Sequence, residues 1–253
     1  MKQLAETFWT IRGRMKIAGV IDVGTHMSLV RRGNGRFVLL DSYEPGADDL
    51  AALREITAEG RVIDAILNLH PYHTLHCAAL HRLFPEARLI GTRRHARQLP
   101  KLPWESGTLE DAATRHAFAE DLDLSVPDGI DLVTSDEKVH AGSILARDRA
   151  SGIVHVDDTL CMLEPPSVLG AVLPAARLRF HPSLGKALQH RAGAADAFDA
   201  WARRIAGEWN DAPAICLAHK AIHEVGEASF GDQLRAALDR VSGTLDRHRK
   251  AHG

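Results

Sequence analysis

Three histidines, His70, His73 and His76, lie within seven residues of one another. The apolar run of residues 62 to 69 directly before them is typical of a strand buried on both faces. Residues 77 to 84 after them have the composition of a short helix. Neutral imidazole is the commonest protein ligand of zinc and also suits iron. A loop held at both ends can turn three rings inward, so this spacing predicts a metal site; the alternative is that they are solvated loop residues.

The elements around this cluster alternate between strands and helices. The first 46 residues are rich in β-branched and apolar residues and contain a predicted hairpin turn at Gly33, Asn34 and Gly35. The other predicted elements are a helix near 48 to 60, a strand at 87 to 92, a loop or lid at 97 to 112, a hairpin around 149 to 152, a helix near 194 to 209, a last strand at 214 to 219 and a closing helix near 231 to 248. This order suits two sheets with helices outside them.

The whole-chain properties favour a protein that acts on small molecules. The 253 residues carry a net charge of −2 with a pI near 6.7, so the overall charge favours neither nucleic acid nor an anionic membrane as a partner. Three widely spaced cysteines fit a reducing compartment. The sequence contains neither a signal-peptide pattern nor an apolar run of about 18 residues. We therefore expect one cytoplasmic domain over residues 1–253 with a small-molecule substrate, and we leave a homodimer open.

At four places, in the same order, the chain resembles the metallo-β-lactamase superfamily. Members of that family carry H-x-H-x-D-H after a buried strand, where this chain has its histidine cluster. Further along, His140-Ala141-Gly142-Ser143 is similar to H-T-x-G-S, Asp157-Asp158-Thr159-Leu160 to G-D-T, and Ala218-His219 to the G-H pair that ends a late strand. The resemblance covers about residues 8 to 223. It implies an α/β (α+β) fold arranged as a four-layer αββα sandwich.

The resemblance also implies a set of metal ligands and a catalytic residue. The ligands are His70, His73, His76, His140, Asp158 and His219, and Asp158 is also the implied catalytic residue. The chain departs from the family motif at Leu75, which stands where the motif has Asp. That Asp normally helps to bind a second metal and positions the nucleophilic water, and leucine does neither. We therefore expect one zinc ion, with a second one optional and iron or manganese as the other candidate metals.

Several neighbouring residues are candidates for supporting roles. Asp157 is the alternative to Asp158 as the carboxylate ligand, since adjacent strand residues face opposite sides. Asp41 ends a predicted strand, and it either braces the histidine loop through a hydrogen bond or caps a turn. His155 is expected to be a packing or surface residue, and His26 precedes a strand from which it could approach the site.

Three functions compete on this evidence. The first is a metal-dependent hydrolase that acts on an ester, thioester, lactone or phosphodiester through a metal-activated water. In that case the loops at 97 to 112 and 163 to 174, with Trp104, Leu163 and Pro165, would shape an apolar pocket. The second is a metal-binding but non-hydrolytic member of the same fold, such as a sensor, a degenerate enzyme or an iron redox protein. The third is a structural or interaction protein whose histidines face solvent.

Overall fold

The computed structural model of the protein describes residues 1–13, 16–17, 21–22, 24–163, 177–218 and 222–253. The strands are β1 (Lys2–Ala5), β2 (Phe8–Gly13), β3 (Lys16–Ile17), β4 (Ile21–Asp22), β5 (Thr25–Arg31), β6 (Phe37–Leu40), β7 (Ile63–Leu67), β8 (Arg88–Ile90), β9 (Leu122–Ser125), β10 (Leu145–Asp148), β11 (Val154–Val156), β12 (Leu160–Leu163), β13 (Arg177–Phe180), β14 (Ala214–Leu217) and β15 (Ile222–Glu224). The helices are α1 (Ala47–Ile56), α2 (Cys77–Leu83), α3 (Arg93–Gln98), α4 (Ala112–His116), α5 (Leu184–Ala187), α6 (Ala194–Glu208) and α7 (Phe230–His252). The predicted ligand His219 and the predicted pocket residue Pro165 lie outside the described residues.

The first sheet has six strands in the order β1-β2-β5-β6-β7-β8. β5 and β6 form an antiparallel hairpin, and Gly35 in its turn has a φ of 80°, in the left-handed region that glycine adopts at little cost. β6, β7 and β8 run parallel, with α1 and α2 in the crossovers between them. The predicted hairpin, helix and buried strand are confirmed. Because β6 and β7 are parallel, the residues that follow them meet at one edge of the sheet.

The second sheet has five strands in the order β15-β14-β11-β10-β9. β10 and β11 form the second predicted hairpin, and β11 runs parallel to β14. The prediction that residues 214 to 219 contain the last strand is wrong, because β15 follows and pairs antiparallel with β14. The two parallel strands β11 and β14 direct their carboxyl ends to the same edge, as β6 and β7 do in the first sheet.

The buried apolar residues divide into layers because alternate residues of a strand face opposite sides of the sheet. In β6, Leu39 packs in the apolar cluster that includes α1 and α2, whereas Leu40 packs against the second sheet. In β10, Ala146 packs against the first sheet, whereas Leu145 packs in the cluster that includes α6 and α7. The two sheets therefore lie face to face with helices on both outer faces. This is the four-layer αββα sandwich that the resemblance implied.

Two predicted boundaries shift. The segment predicted as a loop or lid from 97 to 112 begins at the end of α3, and the closing helix α7 continues to His252. Within the part of the chain that the structure describes, no helix combines the length and the apolar character required to cross a bilayer.

Candidate metal centre

The candidate ligands lie where strands of the two sheets end. In the first sheet, Asp41 directly follows β6, and the loop after β7 carries His70 and His73. In the second sheet, Asp157 and Asp158 directly follow β11. The loops from the two sheets meet, since side chains of the first loop lie within 4 Å of both aspartates of the second.

His70, His73 and Asp158 form a group that we call the cavity cluster. One ligand atom of each side chain lies within 4.8 Å of the others. Asp158 Oδ2 is 3.3 Å from His70 Nε2 and 3.9 Å from His73 Nε2, and the two imidazole rings stack with centroids 4.0 Å apart. Two imidazoles and one carboxylate are the donors of many catalytic zinc sites and of non-haem iron sites, which keep a coordination position open. The donor set of the cavity cluster therefore fits the predicted metal.

Asp41 holds the loop that carries this cluster. Its Oδ1 accepts hydrogen bonds from the backbone N–H groups of Leu69, at 2.8 Å, and His70, at 3.4 Å. Its backbone φ of 61° lies in the left-handed region, which aspartate tolerates better than most residues. The predicted bracing role of Asp41 is confirmed.

His76 and His140 border the same space without joining the cavity cluster. His76 directly precedes α2, and its ring contacts Tyr43 edge-on with centroids 5.2 Å apart. Burial lowers the pKa of His76, which favours the neutral form that a metal ligand requires. His140 Nε2 lies 2.6 Å from the carbonyl oxygen of Glu137, and its ring stacks on Tyr72 at 4.5 Å. The assignment of His76 and His140 as ligands stays a prediction.

A second group, which we call the buried cluster, adjoins the first. It consists of four side chains of residues that are 2% exposed or less: His26, Asp41, His155 and Asp157. His155 Nε2 lies 2.8 Å from Asp41 Oδ2, and His26 Nε2 lies 3.0 Å from Asp157 Oδ1. The two imidazole rings stack with centroids 4.2 Å apart. Because His73 Nδ1 is 3.6 Å from Asp157 Oδ1, Asp157 contacts both clusters.

The contact between His26 and His155 was not predicted from the sequence. His155 is fully buried, which agrees with the expected packing role and not with the surface alternative, and it also forms polar contacts. Strand alternation brings the two histidines together: His26, Ser28 and Val30 of β5 share the face toward the second sheet, and His155 faces back toward them. The sequence shows that His26 alternates with Ser28 and His155 with Asp157, but this pattern does not show that the two strands face each other.

Burial dominates the electrostatics of the buried cluster. It raises the pKa of Asp157 well above its ordinary value, and the neighbouring carboxylates of Asp41 and Asp158 raise it further. Burial also lowers the pKa of His26 well below its ordinary value. For Asp41, burial opposes ionisation, but the hydrogen bond and the charge of His155 outweigh it and hold the pKa well below the usual range. The protein alone therefore favours one ionised and one protonated carboxyl group in this cluster.

Two members of the cavity cluster, His73 and Asp158, border a cavity of about 330 Å³. Among the described residues, its wall combines His73, His76, His140 and Asp158 with Gly24, Thr25, Ser42, Tyr72, Thr74, Leu75 and Ala218. Trp104, predicted to shape this pocket, lies elsewhere: it is bridged to Leu89 at the edge of the first sheet, and its indole N–H donates to the carbonyl oxygen of Leu99. Residues 97 to 112, all of which the structure describes, therefore contribute no residue to the described wall of the cavity.

Three solved structures place this architecture among known folds. The chain is similar to a metallo-β-lactamase from Erythrobacter litoralis with β-mercaptoethanol in its active site, at 17% identity and a TM-score of 0.59 over 98% of this chain and 95% of that one. It is similar to a metallo-β-lactamase from Hirschia baltica at 14% identity and a TM-score of 0.56, over 96% of each chain. It is also similar to one from Pseudomonas aeruginosa in a mono-zinc form, at 12% identity and a TM-score of 0.55 over 98% of this chain and 94% of that one.

The protein therefore has the metallo-β-lactamase fold over nearly its whole length, as the sequence resemblance implied. Its strand-end loops bring together histidines and aspartates suited to a metal ion. No protein-family model matches the sequence, and no curated protein matches it significantly.

Proposed function

We propose that the protein is a metal-dependent hydrolase whose metal is held by the cavity cluster. The observation that carries this proposal is the convergence of His70, His73 and Asp158 beside a cavity of about 330 Å³, whose wall includes His73 and Asp158. A cluster of this kind combines three protein ligands with space for a substrate, which is the arrangement of catalytic zinc sites. His76, His140 and His219 are the further ligands that the resemblance offers.

The protein residues have separate tasks in this proposal. A zinc ion supplies Lewis acidity toward a carbonyl or phosphoryl oxygen and lowers the pKa of water toward neutrality. Asp158 would supply a carboxylate ligand to the ion, and it would help to orient the attacking water. Asp41 fixes the backbone at Leu69 and His70 and thereby holds the imidazole of His70 in place.

The cavity wall favours an acyl substrate. Tyr72, Leu75 and Ala218 contribute apolar surface to it, beside Asp158 and the histidines. A carbon-rich wall accommodates an acyl chain. We therefore propose an ester, a thioester or a lactone ahead of a phosphodiester.

Metal analysis and hydrolysis assays test the proposal together. Protein purified without a metal-chelating tag is expected to contain a transition metal and to hydrolyse at least one member of a panel of esters, thioesters and lactones. Asp158→Asn keeps the shape of the side chain and removes its charge, so we expect it to lower turnover at least about 100-fold and to release metal. Asp128→Asn, at an exposed aspartate, is the matched control and should retain both. Metal-free native protein, or turnover that Asp158→Asn leaves unchanged, would contradict the proposal.

One observation favours a second candidate, a metal-binding protein of this fold that hydrolyses nothing. Leu75 stands at the position where the resembling family carries its motif Asp, and it is 74% exposed beside the cavity. Leucine can neither bind a metal nor orient water. Tight metal binding without turnover on the whole panel would favour this second function over the first.

A further inference from the structure

We propose that the buried cluster is itself a metal site, separate from the cavity cluster, and that the ion it binds stabilises the packing of the two sheets. The proposal is independent of hydrolysis. It concerns His26, Asp41, His155 and Asp157, of which only Asp157 was considered above as a ligand, as the alternative to Asp158.

The ligand atoms are close enough for one ion. Each of the four side chains places a nitrogen or oxygen within 4.8 Å of the other three, and the two closest pairs are 2.8 and 3.0 Å apart. In a tetrahedral zinc site with bonds of about 2.0 to 2.2 Å, the ligand atoms lie about 3.4 Å from one another. The two closest pairs lie below that value and every pair lies within 4.8 Å, so side-chain adjustments can bring the four atoms to zinc distances.

Two side chains of the buried cluster, His155 and Asp41, each use one polar atom for a hydrogen bond outside the cluster. The other polar atom of each side chain is left to bind the ion. His155 Nδ1 is hydrogen-bonded to Ser28 Oγ at 2.9 Å, which leaves Nε2 toward the cluster. Asp41 Oδ1 accepts backbone N–H groups of the loop after β7, which leaves Oδ2 toward His155. Hydrogen bonds of this kind fix the orientation of metal-binding histidines and carboxylates.

The charge of the cluster calls for a cation. Two carboxyl groups, of Asp41 and Asp157, lie together in residues that are at most 2% exposed, and burying a carboxylate without a counter-charge is costly. Asp157 Oδ2 is buried and has no hydrogen-bond donor among the described residues. A divalent cation neutralises both carboxylates and gives the unpartnered oxygen an ion to bind.

The site has the character of a structural site. Its four ligands are all protein side chains and all buried, which is typical of structural zinc sites, whereas catalytic sites keep one position open. Nitrogen and oxygen donors without thiolate suit zinc and other borderline divalent ions. His26 and Asp41 come from β5 and the end of β6 in the first sheet, and His155 and Asp157 come from β11 and its end in the second. An ion bound by all four joins the two sheets near the cavity.

Anomalous X-ray scattering at the zinc edge tests this in the unaltered protein. Crystals grown with zinc are expected to show a peak between His26, Asp41, His155 and Asp157, in addition to one at the cavity cluster. A peak at the cavity cluster alone would overturn the inference. It would leave the proposed function intact, because that function needs only the metal of the cavity cluster. A peak at the buried cluster alone would support the inference and count against the proposed function.

Metal stoichiometry in solution provides a second readout. His155→Gln is expected to lower the zinc content by about one equivalent per chain and to lower the melting temperature, since an ion bound only by the folded state stabilises it. His116→Gln, at an exposed histidine, is the matched control and should change neither quantity. If His155→Gln folds and retains the zinc content of the native protein, the inference is wrong.

Discussion

The cavity cluster and the buried cluster use the same two residue types at different depths. In the cavity cluster, the side chain of His73 is 23% exposed and borders a cavity. In the buried cluster, no member exceeds 2% exposure. A metal site at a cavity can admit a substrate, whereas a metal site between two sheets can act only on the fold. The contact of His73 and Asp158 with the cavity, and not donor chemistry, therefore separates the two proposed roles.

The difference in depth follows from where the residues lie on the strands. The cavity cluster comes entirely from residues that follow β7 and β11, where the chain has left the sheets. His26 and His155 lie within β5 and β11, on the faces where the two sheets pack. Asp41 and Asp157 each occupy the first position after a strand, between the strand residues of the buried cluster and the loop residues of the cavity cluster. The two clusters meet through these two carboxyl groups.

The largest expected effect tests whether Asp41 supports both regions. Asp41→Ala removes the acceptor of the Leu69 and His70 amides and the partner of His155. We expect the free energy of unfolding to fall by about 3–5 kcal/mol, because buried polar groups lose their partner. Urea denaturation measures the change. Asp41→Asn keeps an acceptor and tolerates the left-handed backbone, so a loss as large as that of Asp41→Ala would show that charge alone matters.

The second prediction tests the effect of burial on the pKa of a histidine that contacts no carboxylate among the described residues. His95 is 0% exposed, like His155, but its Nδ1 contacts Thr92. Burial lowers the pKa of His95 to about 4, below an unfolded value of about 6.5. The unfolded state therefore binds a proton first, so the stabilisation is complete above pH of about 6.5 and is lost as the pH falls toward 4. The loss amounts to about 3 kcal/mol.

Urea denaturation of the native protein and of His95→Gln between pH 7 and pH 4 measures this loss. Other acidic and basic groups titrate in both proteins, so the difference between the two curves isolates His95. The native protein is expected to lose more stability than the variant on acidification. Parallel curves would mean that burial alone does not set the pKa of this histidine.

The third prediction concerns the limits of the cavity cluster. His73→Gln removes one of its three ligands, and we expect zinc affinity to fall at least about 100-fold, more than the loss of a residue that only orients a ligand. His76 lies beside the cavity but outside the group of three, so His76→Gln is expected to lower affinity less than about 10-fold. Competition with a chromophoric chelator measures both constants. Equal losses would extend the cavity cluster to His76.

The sequence predicts the architecture because short-range patterns determine most of it. The apolar run before His70 becomes β7, and the turn at Gly35 becomes a hairpin, since each pattern acts through neighbours along the chain. His70, His73 and Asp158 were predictable because they lie in motifs that resemble those of the metallo-β-lactamase superfamily. β15 was not, because three residues carry too little periodicity to predict a strand.

The buried cluster was not predictable from the sequence for a different reason. His26 and His155 are 129 positions apart and meet only because two strands in different sheets turn these side chains inward. Each of them alone has the pattern of an ordinary strand residue. Their association depends on the packing of the sheets, which no local pattern encodes. The same holds for the position of Trp104, which the composition of its loop assigned to the pocket and the structure places at a sheet edge.

The smallest expected effect is that of a second carboxylate beside the cavity cluster. The buried cluster has two carboxyl groups, whereas the cavity cluster has one. Leu75→Asp introduces the second carboxylate at a side chain that is 74% exposed, so the free energy of unfolding should stay within about 0.5 kcal/mol. Zinc affinity is expected to rise about tenfold, because a negative charge near the ion stabilises it. Calorimetric titration with zinc measures the gain. Leu75→Asn has the same shape without the charge, and an equal gain in that variant would show that removing leucine, and not adding charge, strengthens the site.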